Sequence, residues 1–541
     1  MIALGTGDLT PADTAALARG PVGRQVGLTA GTIALMDRSA ALRGRLVATG
    51  APIYGVTTGF GDRNVTHVAA HKAAALQRNL ISYHLVGSGP QAPAEVVRAT
   101  MLVRANCLAR GSSGVRSRVV GLLLDCLAQD ILPLIPERGS VGASGDLIPL
   151  CYLAALLVGE GDAVHAGTRV PARQALAAAR LEPLELEPKE ALALINGTAF
   201  SCGFAVLATS DAGRLADVAE LCTALAAEVL LGNRGPFHPA IHLRKPHPGQ
   251  VRSAERTAAL LDGSRLCRDY EEVVRANGDL DGRTWRRLDH AIQDRYSLRC
   301  APHVIGVLRD TLTWVDRWLE TEINSSNDNP LFDVDEDRLH SGGNFYGGHV
   351  GLAMDALRTA VASVGDLLDR QLACVVDEKF NAGLPAGLVP PPSPDSSQAG
   401  LHHGFKGVQI ACSALIAEAL GLSVPATSFS RSTEAHNQDK VSMATIAARG
   451  ARTVNGLVFD AAALHLAALC QAADLRGAGL LAPGTRAVYD FVRGHVGFVA
   501  VDRRLDGEVA TLAEALRSDA RLPGISTCAR GTGETVETGH A

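Results

Sequence analysis

Aromatic side chains are scarce in this chain: Phe, Trp and Tyr together make up 4% of 541 residues. The core must then be built mostly from Ala, Leu and Val, which suits close-packed helices. Basic charge is not in excess either. The formal net charge is -5, so there is no electrostatic footprint for nucleic acid, and none is expected as a partner. Paired cysteines are missing: the eleven Cys stand singly, with no Cys-x-x-Cys. That excludes a zinc ribbon or a thioredoxin-like motif and leaves reduced, buried thiols as the expectation. Met1 to Arg19 contains Asp8 and Asp13 and no apolar run of signal length, and no later stretch is uninterruptedly apolar over a membrane span. A cytoplasmic protein with no membrane partner is expected. No Schiff-base lysine motif marks a pyridoxal phosphate site. The histidines at 238, 242, 247, 402 and 403 lack the spacing and acidic company of a metal site.

What is present is a helical pattern. Hydrophobic residues are 47% against 20% charged, which reads as globular. The length suggests about three to four domains. Thr10-Pro11-Ala12-Asp13 is a helix start, with a capping hydroxyl, proline at the first position and an acid three residues on. Met354, Leu357, Val361, Val364 and Leu368 keep the three-and-four spacing of one helix face. So do Leu215, Val218, Leu221, Leu225 and Val229, and much of 407–421 and 454–475. Strand signals are short, around 163–170 and 330–340, and read as surface hairpins. The predicted fold class is all-α, a long central helix bundle with a smaller mixed N-terminal region carrying the active-site loops. Expected regions are 1–200 with those loops, 201–480 as the bundle, 481–525 as a C-terminal helical part, and a disordered polar tail at 526–541. Linkers are expected at 342–348 and 389–400, and there is no internal repeat.

Two glycine-rich loops carry the chemistry. Tyr54-Gly55-Val56-Thr57-Thr58-Gly59-Phe60-Gly61 can fold over a ligand and brings a phenol as acid or base; a plain turn with a packed tyrosine is the alternative. Gly139 to Leu147 lacks the Gly-Lys-Ser/Thr ending of a phosphate loop. It offers instead Ala143-Ser144-Gly145 between flexible neighbours. The Gly145 amide nitrogen can bend back onto the Ala143 carbonyl. Ring closure with loss of two waters, one from the Ser144 side chain, would leave a methylidene-imidazolone, an electrophile no ordinary side chain supplies.

This segment resembles the histidine, phenylalanine and tyrosine ammonia-lyase family. The resemblance runs from about Leu9 to about Leu475 and takes in the Tyr54 loop, Ala193 to Thr198, Gln293 to Cys300, Asn327-Asp328-Asn329-Pro330, Gly342-Gly343-Asn344-Phe345 and Asn437-Gln438-Asp439, in the family's order. It implies an enzyme that eliminates ammonia from an aromatic amino acid. Its cofactor would be 4-methylidene-imidazol-5-one (MIO), formed from Ala143, Ser144 and Gly145. Tyr54 would be the base that takes the β-proton. A free tyrosine has a pKa of about 10, so cationic neighbours or helix N-termini are expected to lower it. Arg299 would clamp the carboxylate through its bidentate fork; a structural ion pair is the alternative. Asn196, Gln293 and Tyr296 would line the same end, with Asn329 and Phe345 beside the cofactor. The resemblance also implies a homotetramer with sites drawn from more than one subunit.

The ring-recognition pair falls at Tyr83-His84 and matches none of the family's usual pairs, Phe-Leu, His-Leu or Ser-His. A polar second residue favours a ring with a hydrogen-bonding group, because a buried imidazole facing phenyl would strand its polar atom at about 1–3 kcal/mol. Gln438 stands where histidine-specific members carry glutamate, and His303 replaces a usual glutamine. Lys406 and Glu434 are expected either to face the pocket or to pair with each other. Four readings stay open here: an ammonia-lyase, a 2,3-aminomutase on the same scaffold, a lyase releasing trimethylamine from a histidine-derived betaine, and an inactive structural homologue.

Overall fold

Thr10 caps the first helix, Pro11–Ala18, its hydroxyl accepting the Asp13 amide at 3.0 Å, as its sequence predicts. The computed structural model describes residues 1–525 except Pro391 and Pro394; the expected tail at 526–541 lies outside the described residues. The fold is all-α, 57% helical. Each long apolar stripe becomes one long helix: Ala199–Val229, Gly348–Val376, Lys406–Gly421 and Ala444–Arg476. Among the described residues, sheet is confined to short ribbons. Asp162–His165 pairs antiparallel with Thr168–Pro171, and Leu331–Asp333 with Arg338–His340, where hairpins were expected.

The stripe read at 454–475 lies on the helix Ala444–Arg476. It is long and apolar enough to cross a membrane by length and composition, although 78% of its apolar window is buried within the protein. Its Ala-rich faces meet the core instead, with Ala447, Ala451, Val454, Val458 and Leu466 fully buried.

Two compact units interleave along the chain. One comprises Met1–Ala212, Asp310–Ser363 and Glu418–Leu457; the other Gly213–Arg309, Val364–Ala417 and the residues from Val458. In the first, Lys189 and Asp328 form an ion pair at 2.6 Å with both side chains fully buried. Burial pushes the Lys189 ammonium down and Asp328 pulls it back up. Such a pair adds little net stability, but removing one partner strands the other charge. Lys189→Met is therefore expected to cost about 3–5 kcal/mol of stability, read as a lower urea midpoint in equilibrium unfolding.

The ten described cysteines are all free, eight of them buried and Cys300 and Cys374 half-buried. Burial pushes the Cys107 thiol up to about 11 and that of Cys126 up to about 12.

Candidate active site

Ser144 and Gly145 sit in consecutive left-handed conformations, φ 52° and 76°. Only a residue without a side chain fits at 145, because a Cβ there would lie 2.1 Å from the Gly197 carbonyl oxygen. This loop runs beside the segment around Gly197: the Gly197 amide donates to the Ser144 carbonyl at 3.3 Å and the Asp146 amide to the Gly197 carbonyl at 2.7 Å. Asn196 is buried, and its Nδ2 reaches the Ser144 carbonyl at 3.5 Å. Its Oδ1 is buried without a hydrogen-bond partner among the described residues. Gln438 Nε2 donates to Ser144 Oγ at 3.4 Å.

Asp146 fixes this loop from below. Its carboxylate accepts from the Ser201 amide at 2.7 Å, the Ser201 hydroxyl at 2.9 Å, the Ser140 hydroxyl at 3.3 Å and the Thr445 hydroxyl. Burial pushes its carboxyl up while these donors pull it down. The Gly-x-x-Ala-Ser-Gly-Asp pattern contained Asp146, and a buried acid beside a strained loop was the signal that could have singled it out.

Tyr54 lies on the same unit. Its loop is tied down by Gln77, whose amide donates to the Gly55 carbonyl at 2.8 Å and accepts from the Leu192 amide at 3.0 Å. No feature of the sequence marks Gln77. The loop continues into a short helix, Gly61–Val65, whose Gly61 amide donates to the Tyr54 phenol oxygen at 3.1 Å. Here the expected electrostatics are corrected. Burial pushes the Tyr54 phenol up; the Gly61 N–H pulls it down, and Glu434 pushes it up further. The helix N-terminus gives one donor, and the charge beside it is an anion. Glu434 is exposed, and it accepts from the Asp62 amide at 3.1 Å.

Tyr83 and His84 close the last helical turn of Ala73–His84, their rings 4.3 Å apart. Tyr83 is 54% exposed, and burial pushes its phenol up, with smaller contributions from Cys151, Tyr54 and Glu434. His84 Nδ1 lies 2.9 Å from the Leu80 carbonyl. Since a carbonyl only accepts, Nδ1 carries the proton. Burial pushes the imidazole down, so at neutral pH Nε2 presents a lone pair.

Asn329 and Phe345 are half-buried, and Asn329 Oδ1 accepts from the Gly342 amide at 2.8 Å. Gln293, Tyr296, Arg299 and Lys406 belong to the second unit. Gln293 is exposed and Tyr296 is 71% exposed. The Arg299 guanidinium lies 4.5 Å from the centre of the Tyr296 ring, and its Nε donates to the Asp294 carbonyl at 3.1 Å. Burial pushes the Asp294 carboxyl up, while the Asn233 amide and the charge of Arg299 pull it down. Lys406 is exposed at the start of its helix. Of the histidines set aside as metal ligands, His242 is bound to the Pro236 carbonyl at 2.8 Å and to Gln250 at 3.0 Å.

A fold of long helices presenting a left-handed Ala-Ser-Gly loop beside a buried asparagine and a tyrosine loop defines a class, and residues 9–494 match the family described as aromatic amino acid lyase. The chain belongs to that family of carbon–nitrogen lyases. It is 40% identical to a tyrosine ammonia-lyase of Cupriavidus metallidurans, covering 95% of each chain. It is 38% identical to a histidine ammonia-lyase of Myxococcus xanthus, over 90% of this chain and 91% of the relative. Among solved structures, a tyrosine aminomutase from Streptomyces globisporus superposes with a TM-score of 0.89 at 36% identity, covering 95% of this chain and 96% of that one.

Proposed function

We propose that this enzyme is an MIO-dependent ammonia-lyase that removes the α-amine of an aromatic or heteroaromatic L-amino acid with a polar ring, such as histidine or tyrosine, to give an α,β-unsaturated acid. The observation that carries this reading is the 143–145 loop. Ser144 and Gly145 are left-handed, Gly145 has no room for a side chain, and Asn196 Oδ1 is buried with no hydrogen-bond partner among the described residues. These residues fit a ring closed from Ala143, Ser144 and Gly145. The chemistry such a ring supplies is electrophilic, making the amine a better leaving group.

The chain's own groups do the rest. Tyr54 takes the β-proton, with its phenol oxygen oriented by the Gly61 amide. Arg299, with Asn196, Gln293 and Tyr296, holds the substrate carboxylate, and Asn329, Phe345 and Gln438 pack around the reacting end. Tyr83 and His84 meet the ring, and Lys406 and Glu434 complete that pocket. Val307, Leu352, Ile410, Leu420 and Ile446 are exposed on long helices, at 58%, 51%, 64%, 42% and 36%. Apolar faces of this kind support a homotetramer with shared sites, and the cytoplasm is its proposed location. Mixing Tyr54→Phe and Arg299→Ala protomers tests this, since sharing restores activity well above that of either variant alone.

The deciding experiment offers L-histidine, L-tyrosine, L-phenylalanine and a histidine betaine. It follows unsaturated acid in the ultraviolet and β-amino acid by chromatography. The likeness to an aminomutase structure makes β-amino acid the second reading, and its accumulation would replace the first. The His84 tautomer adds a prediction. Nε2 accepts, so it suits a ring donor such as a phenol O–H or an imidazole N–H. His84→Leu is expected to cost a polar substrate about 0.5–1.5 kcal/mol in kcat/KM relative to phenylalanine. An unchanged ratio would take His84 out of the ring pocket.

A further inference from the structure

Behind the 143–145 loop lies a buried cation that the reaction does not use. Arg104 is completely buried on the helix Ala94–Ala109. Its Nη1 donates to the Asn327 carbonyl at 3.3 Å and to Asn327 Oδ1 at 3.1 Å, while Nε and Nη2 have no hydrogen-bond partner among the described residues. A guanidinium held this way is costly, and a well-packed apolar side chain would be the more stable choice. Its location gives a reason for keeping it. A Cβ on Gly197 would fall 2.2 Å from Arg104 Nη1, 2.4 Å from the Asn327 carbonyl oxygen and 2.7 Å from Asn327 Oδ1. Gly197 is thus seated between Arg104 and Asn327 on one side and Gly145 on the other.

A second set of bonds grips the same strand of chain. Asn327 Nδ2 donates to the Glu322 carbonyl at 3.2 Å, and the Thr198 hydroxyl donates to Glu322 Oε1 at 2.6 Å. Arg104, Asn327, Glu322 and Thr198 therefore form one network enclosing Gly197. The Gly197 amide in turn holds the Ser144 carbonyl, which fixes the plane of the peptide whose nitrogen is that of Gly145.

We propose that this network is a positioning device for cofactor maturation, with Arg104 its central positioning residue; the inference rests on the ring closure proposed above. In that step the Gly145 nitrogen forms a bond to the Ala143 carbonyl carbon. The carbonyl oxygen leaves as water with the protons of the Gly145 and Ser144 amides, giving a carbon–nitrogen double bond. The Ser144 hydroxyl and α-proton leave as the second water. No oxidant is needed. The reaction competes with free rotation of the 144–145 peptide, and a Gly197 without slack removes that freedom.

The test is intact mass of the full chain at fixed times after synthesis, with thermal melting to show folding. Wild type is expected to lose two waters, about 36 Da. Arg104→Met is expected to fold and to mature at least about tenfold more slowly, with Arg104→Lys partly rescuing it. Once matured, Arg104→Met should show the wild-type KM. Thr198→Val removes one hydroxyl at nearly constant shape; it is expected to slow maturation too, and decides the matter if Arg104→Met does not fold. A wild type without the mass loss would overturn the proposed function itself. A wild type that matures, with folded variants maturing at the same rate, would overturn the positioning role alone.

Discussion

Ser144→Ala is expected to leave a folded protein that turns over at least about 10³-fold more slowly than wild type. Alanine at 144 can keep the left-handed turn, held by the Gly197 amide and the Asp146 network, because those bonds involve backbone and neighbours rather than Ser144 Oγ. What it cannot do is eliminate the second water, since the leaving hydroxyl is gone. The mass should then show one water lost or none, and the ultraviolet absorbance of the unsaturated ring should be missing. A Ser144→Ala protein retaining wild-type kcat would remove the electrophile from the mechanism.

Tyr54→Phe should separate the base from the electrophile. Mass loss and ultraviolet absorbance should match wild type, while kcat falls by about 10²–10⁴, the usual contribution of a positioned base. The sign of the pH dependence follows from the site. The phenol is neutral when protonated, and burial, with Glu434 adding to it, pushes it above its ordinary value. The base form is therefore scarce at neutral pH and grows about tenfold per pH unit until the phenol titrates. Wild-type kcat should climb on that limb and Tyr54→Phe should be flat across it. A variant with the wild-type limb would assign the proton transfer to another group.

Helices and hairpins were legible because their signals are local. A threonine cap before proline, and apolar residues at three-and-four spacing, act within one element, and the Pro11–Ala18 and Gly348–Val376 helices follow. The 143–145 loop was legible for a different reason: its chemistry needs small residues in sequence. What stayed hidden acts across long separations. Gln77 bridges Gly55 and Leu192, and Arg104 reaches Asn327, pairings set by packing that leave no mark in the neighbouring sequence. The sign of the charge near Tyr54 was misjudged likewise, because Glu434 comes from a segment far along the chain. The helix Ala444–Arg476 has the length and composition of a membrane span, yet Arg449, Arg452, Asn455 and Asp460 interrupt its apolar run, and Asn455 Nδ2 finds the Ala208 carbonyl at 2.7 Å.

The buried thiols have a practical side. A maleimide dye reacts with exposed thiolate, and burial keeps Cys107, Cys126 and Cys470 both covered and protonated at neutral pH. With the half-buried Cys300 and Cys374, and Cys528 outside the described residues, exchanged for serine, the chain offers a dark background for site-specific labelling. Val65, 87% exposed at the end of the short helix that orients the Tyr54 phenol, is a place for the single dye. A fluorophore there would report on the surroundings of the tyrosine loop, without disturbing any residue assigned to the chemistry.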